Sequence, residues 1–116
     1  MMSDSKPIAD ISSFNVLDIR VGTIREASNF DKAKKPAIKL LIDFGLLGIL
    51  TSSAQITKRY KPEMLIGKQV VAIINFPARL IAGFRSECLV LGVTDEQGDV
   101  VLVSPEQPAM NGLPLA

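Results

Sequence analysis

The chain has 116 residues, 47% apolar and 22% charged, with a net charge of only +1. That length carries one domain with one core, and the balance excludes a disordered chain. Histidine is absent, which removes the commonest general base, the commonest metal ligand and every Ser-His or Cys-His nucleophile pair. A binding protein is therefore expected, not an enzyme, with no metal or cofactor. No apolar run reaches the roughly 18 residues that span a bilayer. The opening MMSDSKPIAD is polar and acidic where a signal peptide is basic and then apolar, so a cytoplasmic protein without membrane insertion is expected. The lone Cys88 agrees with a reducing compartment and reads as a small buried strand residue.

In chain order, Ser12 and Ser13 stand as caps before Phe14, Val16 and Leu17, which suits a short N-terminal helical turn. IRVGTIREA, residues 19–27, alternates as a half-exposed first strand. Gly22 inside it either marks the kink a small barrel needs or is merely tolerated. The polar stretch SNFDKAKKP leads to AIKLLIDF, residues 37–44, a second strand with Ile38, Leu40, Ile42 and Phe44 on its inner face. Gly45 and Gly48 bracket a tight connection into GILTSS, a third strand ending near Ser52. Ser52 or Ser53 is expected to cap a short helix through Tyr60, Pro62 to open a second helical turn, and Gly67 to stop it.

KQVVAIINF, residues 68–76, and CLVLGV, residues 88–93, read as the fourth and fifth strands. Between them PARLIAGFRSE is longer than a hairpin needs and reads as a working loop. TDEQGD then turns into VVLVS, an added C-terminal hairpin, before a proline-punctuated tail. Three strands, a helix and two strands is the order of the OB-fold, a five-stranded barrel that binds ligands on its second and third strands and on the loops after its first and fourth. The expected fold is thus all-β with short helices, one domain over 1–116, with an N-terminal arm over 1–18, the barrel over 19–104 and a tail over 105–116.

The small net charge conceals segregation. Residues 32–85 hold ten basic residues against Asp43 and Glu63, a local charge of +8, while the flanks hold three basic residues against ten acidic. Lys32, Lys34 and Lys35 fall in the loop after the first strand, Arg79 and Arg85 in the loop after the fourth, and Lys39 on the outer face of the second strand. Two basic clusters converge on the expected ligand face, the footprint of a polyanion or an acidic partner.

SSAQITKRYKPEMLIGKQVVAIINFPARLIAGFRSECLVLG, residues 52–92, resembles the tRNA-binding domain shared by the C-terminal extension of bacterial methionyl-tRNA synthetase and free-standing tRNA-binding proteins. The likeness extends through LDIRVGTI, PAIKLLIDFG and QGDVVLVSPEQP to about nine-tenths of the chain, and is greatest to the export-related chaperones of that family. Asn75, Arg79, Gly83, Ser86 and Glu87 match the family pattern in NFPARLIAGFRSE. Related synthetase domains often read Gly-Met after the Ser-Glu pair, where this chain has Cys88 and Leu89. The resemblance implies an OB-fold homodimer, its interface built from the N-terminal helix, strand edges and the C-terminal hairpin and tail.

Two ligand readings follow. In the first, tRNA is held by Lys32, Lys34, Lys35, Lys39, Lys58, Arg79 and Arg85 on phosphates, with Ser53, Glu87, Asn75 and Ser86 completing the site and the last two meeting sugar or base edges. Stacking is scarce, with Phe30 and Phe84 its only loop candidates. In the second, implied by the chaperone resemblance, unfolded or export-destined polypeptides bind Phe76, Leu80, Ile81 and Phe84 within a basic rim, a mixture that suits signal-peptide-like segments, and the export machinery is a further partner. A Ser86 and Glu87 hydrolase pair fails for want of a base. Glu87 instead reads as an acceptor for backbone amides, with Ser86 facing the ligand.

Overall fold

The computed structural model describes residues 4–116, so the first three residues of the N-terminal arm lie outside the described residues. Five antiparallel strands form the barrel sheet: β1 (Ile19–Asn29), β2 (Ile38–Asp43), β3 (Ile49–Ala54), β4 (Gln69–Ile73) and β7 (Leu89–Val90), in the order β3-β2-β1-β4-β7. Strands β5 (Arg79–Ile81) and β6 (Phe84–Ser86) form one added hairpin, and β8 (Gly92–Thr94) and β9 (Val100–Leu102) another. Helix α1 (Ile11–Asn15) precedes the barrel, and α2 (Pro62–Leu65) lies between β3 and β4. This is the expected OB-type barrel, nearly closed.

Alternation along β2 places Ile38, Leu40 and Ile42 inside, each no more than 2% exposed, with Phe44 and Leu65 of α2 fully buried beside them. Gly22 is demanded by this packing: a Cβ there would sit 2.7 Å from Ile42 and 2.8 Å from the Phe44 ring. The strand's irregularity falls a little later, where the β1–β2 register shifts between Ile24 and Glu26 and lets the long strand bend. Its first half pairs with β4 and its second with β2, so one strand serves both halves of the barrel.

A second cluster, Ile19, Val21, Val71 and Ile73, packs under Phe14, Leu17, Leu91 and Ala109. The tail lies along the edge of β1 that β2 leaves free. Gly112 N–H donates to the Val21 carbonyl at 2.7 Å, Val21 N–H to Leu113 at 3.0 Å and Leu115 N–H to Ile19 at 3.0 Å. Side chains reinforce it: Thr23 Oγ1 and Gln69 Nε2 both donate to Asn111 Oδ1, and Gln69 also bonds both ways with the Ala109 backbone.

Several local expectations are corrected. Asp10 caps α1 in place of Ser12 or Ser13, because its carboxylate accepts from Ser12 N–H. Ser52 and Ser53 belong to β3 and cap nothing; the stretch after them forms turns, and only Pro62 opens a helix. Buried Ser52 is spent on closing the barrel, its hydroxyl donating to the Cys88 carbonyl at 2.8 Å. The segment over 77–87 is itself a hairpin, with Ala82 (φ 46°) and Gly83 (φ 82°) forming a two-residue turn. Both turn residues at positive φ match the twist of paired strands. The expected strand over 88–93 divides at Leu91, its first part pairing with β4 and its second with β9.

Candidate ligand groove

Strand β3 offers Thr51 and Ser53 on its outer face, two residues apart as strand geometry requires. The Thr51 N–H donates to Glu87 Oε1 at 3.0 Å, and the Thr51 hydroxyl donates to the Arg85 carbonyl at 2.6 Å. Glu87 N–H returns a bond to the Thr51 carbonyl at 2.8 Å, and Ser53 N–H donates to Ser86 Oγ at 3.0 Å. Glu87 thus accepts from a backbone amide as its sequence reading held. Ser86 does not point freely at a ligand, for its oxygen is engaged by β3. These bonds close the barrel and hold the β5–β6 hairpin over β3.

Between the hairpin and the loop after β1 lies an open groove of about 510 Å³, lined by Lys32, Lys34, Lys35, Ser53, Gln55, Arg79, Ile81 and Ala82 among others. The first-loop lysines are exposed, so their ammonium groups face water and can meet phosphates or carboxylates. On the other side of Ser53, Arg79 and Ile81, which line both spaces, a cavity of about 190 Å³ is walled by Phe76, Pro77, Cys88 and Leu89, with Ser86 and Glu87 at its polar side. Basic and apolar surfaces therefore run into one another.

The remaining predicted residues are placed less centrally. Lys58 is exposed in the turn after β3 and is not among the groove's lining residues. Arg85 is largely exposed, with Glu87 3.7 Å away. Leu80 is 77% exposed on the hairpin's far face. Asn75 commits its whole amide to the N-terminal arm: Asp18 N–H donates to Oδ1 at 2.8 Å, and Nδ2 donates to the Val16 carbonyl at 2.9 Å. Phe30, a candidate stacking platform by sequence, is 5% exposed and meets Phe84 edge-on with ring centroids 5.4 Å apart. Lys39 Nζ lies over both rings, at 5.5 and 5.6 Å.

Sequence reasoning passed over Thr51, Gln55, Pro77 and Leu89. The period-two spacing from Ser53 pointed to Thr51. The apolar wall joins Phe76, an expected peptide contact, and Pro77 to Cys88 and Leu89, the pair at which the family pattern changes, and no local spacing linked the two segments. Burial pushes the Cys88 thiol up to about 12, so it stays protonated and apolar in character beneath the groove.

Comparison with known proteins agrees with this architecture. Residues 19–114 match a family described as a putative tRNA binding domain. Methionine–tRNA ligase of Porphyromonas gingivalis is 41% identical over 102 residues, 85% of this chain and 15% of the ligase. The corresponding ligase of Methanothrix thermoacetophila is 36% identical over 107 residues, 92% of this chain and again 15% of the ligase. The chain therefore spans only about 15% of the length of these relatives. Among solved structures, the chaperone CsaA of Bacillus anthracis superposes with a TM-score of 0.89 at 53% identity, over 94% of this chain and 99% of that one. The CsaA chaperone of Picrophilus torridus gives 0.87 at 45% identity, over 94% and 100%. With its barrel, its hairpin over β3 and a family match across all but the two ends, the chain belongs to the tRNA-binding-domain family, alongside the CsaA chaperones in structure.

Proposed function

We propose that this protein is a non-catalytic molecular chaperone that binds unfolded or export-destined polypeptides as a homodimer in the cytoplasm. The observation that carries the reading is that the apolar cavity under the β5–β6 hairpin adjoins the basic groove, the two sharing Ser53, Arg79 and Ile81 as lining. An extended segment can set an apolar side chain against Phe76, Pro77, Ile81 and Leu89 while its backbone and polar groups meet Arg79 and the first-loop lysines. The likeness to CsaA chaperones over nearly the whole of both chains supports this use. Dimerisation is supported by the exposed Ile8, Ile11 and Val16 of the arm, Val93 of the hairpin and Met110 and Leu113 of the tail, apolar surface that a second copy would cover. The export machinery is a further partner on this reading. Engagement of Ser86 and Glu87 in the barrel seam supports binding over hydrolysis.

A second reading, tRNA binding, is favoured by one specific observation: Lys32, Lys34, Lys35 and Arg79 line a single open groove. Its signature is a fall of log affinity with log salt of about 0.7 to 0.9 per phosphate contact. Peptide-array binding to wild type, Phe76→Ala and Ile81→Ala proteins tests the first reading, with a loss of about 1–2 kcal/mol expected for each variant. Binding that neither substitution changes refutes the peptide site. Adding tRNA to the same assay shows whether the two ligands exclude each other, as a shared groove requires, and sedimentation equilibrium reads the dimer.

A further inference from the structure

Two further cavities flank the hairpin tip. One, about 230 Å³, is lined by Glu26, Ser28, Leu41 and Thr51; the other, about 440 Å³, by Asn29, Asp31, Lys32 and Gly83. Lys39 and Phe84 are the two residues that line both, so together they form the partition. Lys39 projects from the outer face of β2, and its ammonium group lies over the rings of Phe30 and Phe84. Phe30 is buried, and its ring meets that of the half-buried Phe84 edge-on. The lysine therefore covers the surface on which a planar ligand would stack.

Such cover is weak. An ammonium over an aromatic ring at a partly exposed site gains little, whereas a phosphate offers the same ammonium a charge-assisted hydrogen bond. Glu26 and Asp31 stand in the two cavity walls, and their carboxylates disfavour a phosphate anywhere but near Lys39 and Lys32. We infer that Phe84 is a masked stacking site for an unpaired nucleobase, which opens when the adjoining phosphate draws Lys39 off the ring. The inference rests on the nucleic-acid reading of the groove and adds to it a preference for single-stranded nucleotides at the hairpin. The partition explains how a chain without tryptophan can still hold a base.

The test compares a fluorescent single-stranded hexa-adenylate RNA with an RNA duplex of equal charge at low salt, alongside folded tRNA. Phe84→Leu, which keeps an apolar side chain and removes the ring, is expected to weaken the single strand about fivefold to a hundredfold, the range for stacking of one base, and to leave the duplex unchanged. Lys39→Ala removes the cover, so binding of uncharged adenosine is expected to rise about twofold to fivefold, the worth of an ammonium over a ring at an exposed site; a plain phosphate contact would give no gain. Nuclear magnetic resonance of the Lys39 ε-methylene protons follows the same event, as their ring-current shift disappears when the single strand binds. Unchanged single-strand affinity in Phe84→Leu with tRNA binding intact overturns the masked site and leaves the groove reading standing. Failure of wild type to bind any RNA overturns both, and a Phe84 dependence confined to aromatic peptides assigns the ring to polypeptide and overturns the inference.

Discussion

The barrel has two seams, and they are sealed by different chemistry. Along β1 the tail is held chiefly by main-chain groups, with Val21 and Ile19 bonded to residues 112–115 and Asn111 as the main side-chain staple. Along β3 the Thr51 carbonyl accepts from the Glu87 and Cys88 amides, and side chains make most of the other ties: Glu87 on Thr51, Ser52 on Cys88, Ser86 on Ser53. Main-chain pairing tolerates almost any sequence, whereas side-chain closure requires particular residues at particular places. Of the residues that carry the family resemblance, Ser86 and Glu87 sit at this seam, beside the groove. Motif residues there are first of all the struts that hold the hairpin over β3, and the ligand meets what they support.

Breaking the groove seam should have the largest effect. Glu87→Ala strands the Thr51 N–H, while the Thr51 hydroxyl keeps the Arg85 carbonyl, and is expected to destabilise by about 1–3 kcal/mol in urea unfolding. Glu87→Gln, which keeps an acceptor oxygen, should recover much of the loss. If Glu87→Ala unfolds at the wild-type midpoint, the side-chain seam contributes nothing and the contrast fails. The tail seam should be more forgiving. Asn111→Ala is expected to cost about 1 kcal/mol, with groove affinity unchanged, because three backbone bonds remain. An affinity loss there would show that the seams are coupled.

The smallest effect sharpens the comparison from outside both seams, where Arg59 binds Asp95 at 2.7 Å and fastens the β8–β9 hairpin to the turn before α2. Hydrogen bonding to Arg59 holds the Asp95 carboxyl below its ordinary 3.8, helped by the amides of Asp99 and Gln97. A lowered folded value means that the contribution is present above 3.8 and is lost as pH falls through the folded value. Asp95→Asn should accordingly lower the melting temperature slightly at neutral pH and flatten the acid limb of the stability curve. An acid limb identical to that of the wild type would remove Asp95 from the account.

Strand order, the inner face of β2 and the stop at Gly67 were legible because each is written locally, in alternation or in a residue with one conformational use. The basic cluster was legible too, and Lys32, Lys34, Lys35 and Arg79 do share one groove. What could not be read was partnership across distance. Ser52 and Ser53 carry the composition of helix caps, yet β2 recruits them into a strand by pairing with Lys39 and Leu40. Phe30 reads as a loop aromatic until the hairpin, 54 residues on, brings Phe84 against it. Asn75 follows a strand as a ligand residue would, but its nearest polar groups are those of the N-terminal arm. Arg59 swells the basic count of the middle segment while Asp95 neutralises it.

The turn at the tip of the hairpin has a consequence for the evolution of this face. Ala82 is the one residue other than glycine with positive φ among those described, a conformation that an L side chain adopts at a cost of the order of 1 kcal/mol. Three cross-strand pairs, Arg79 with Ser86, Leu80 with Arg85 and Ile81 with Phe84, keep it there. A glycine at this position would relax the tip, and a bulkier side chain would tighten the strain, so a single codon can tune how stiffly the hairpin stands between its neighbouring cavities and, because Ala82 lines the main groove, the shape of that groove as well. Drift at position 82 thus changes the stiffness of the hairpin and the lining of the groove together.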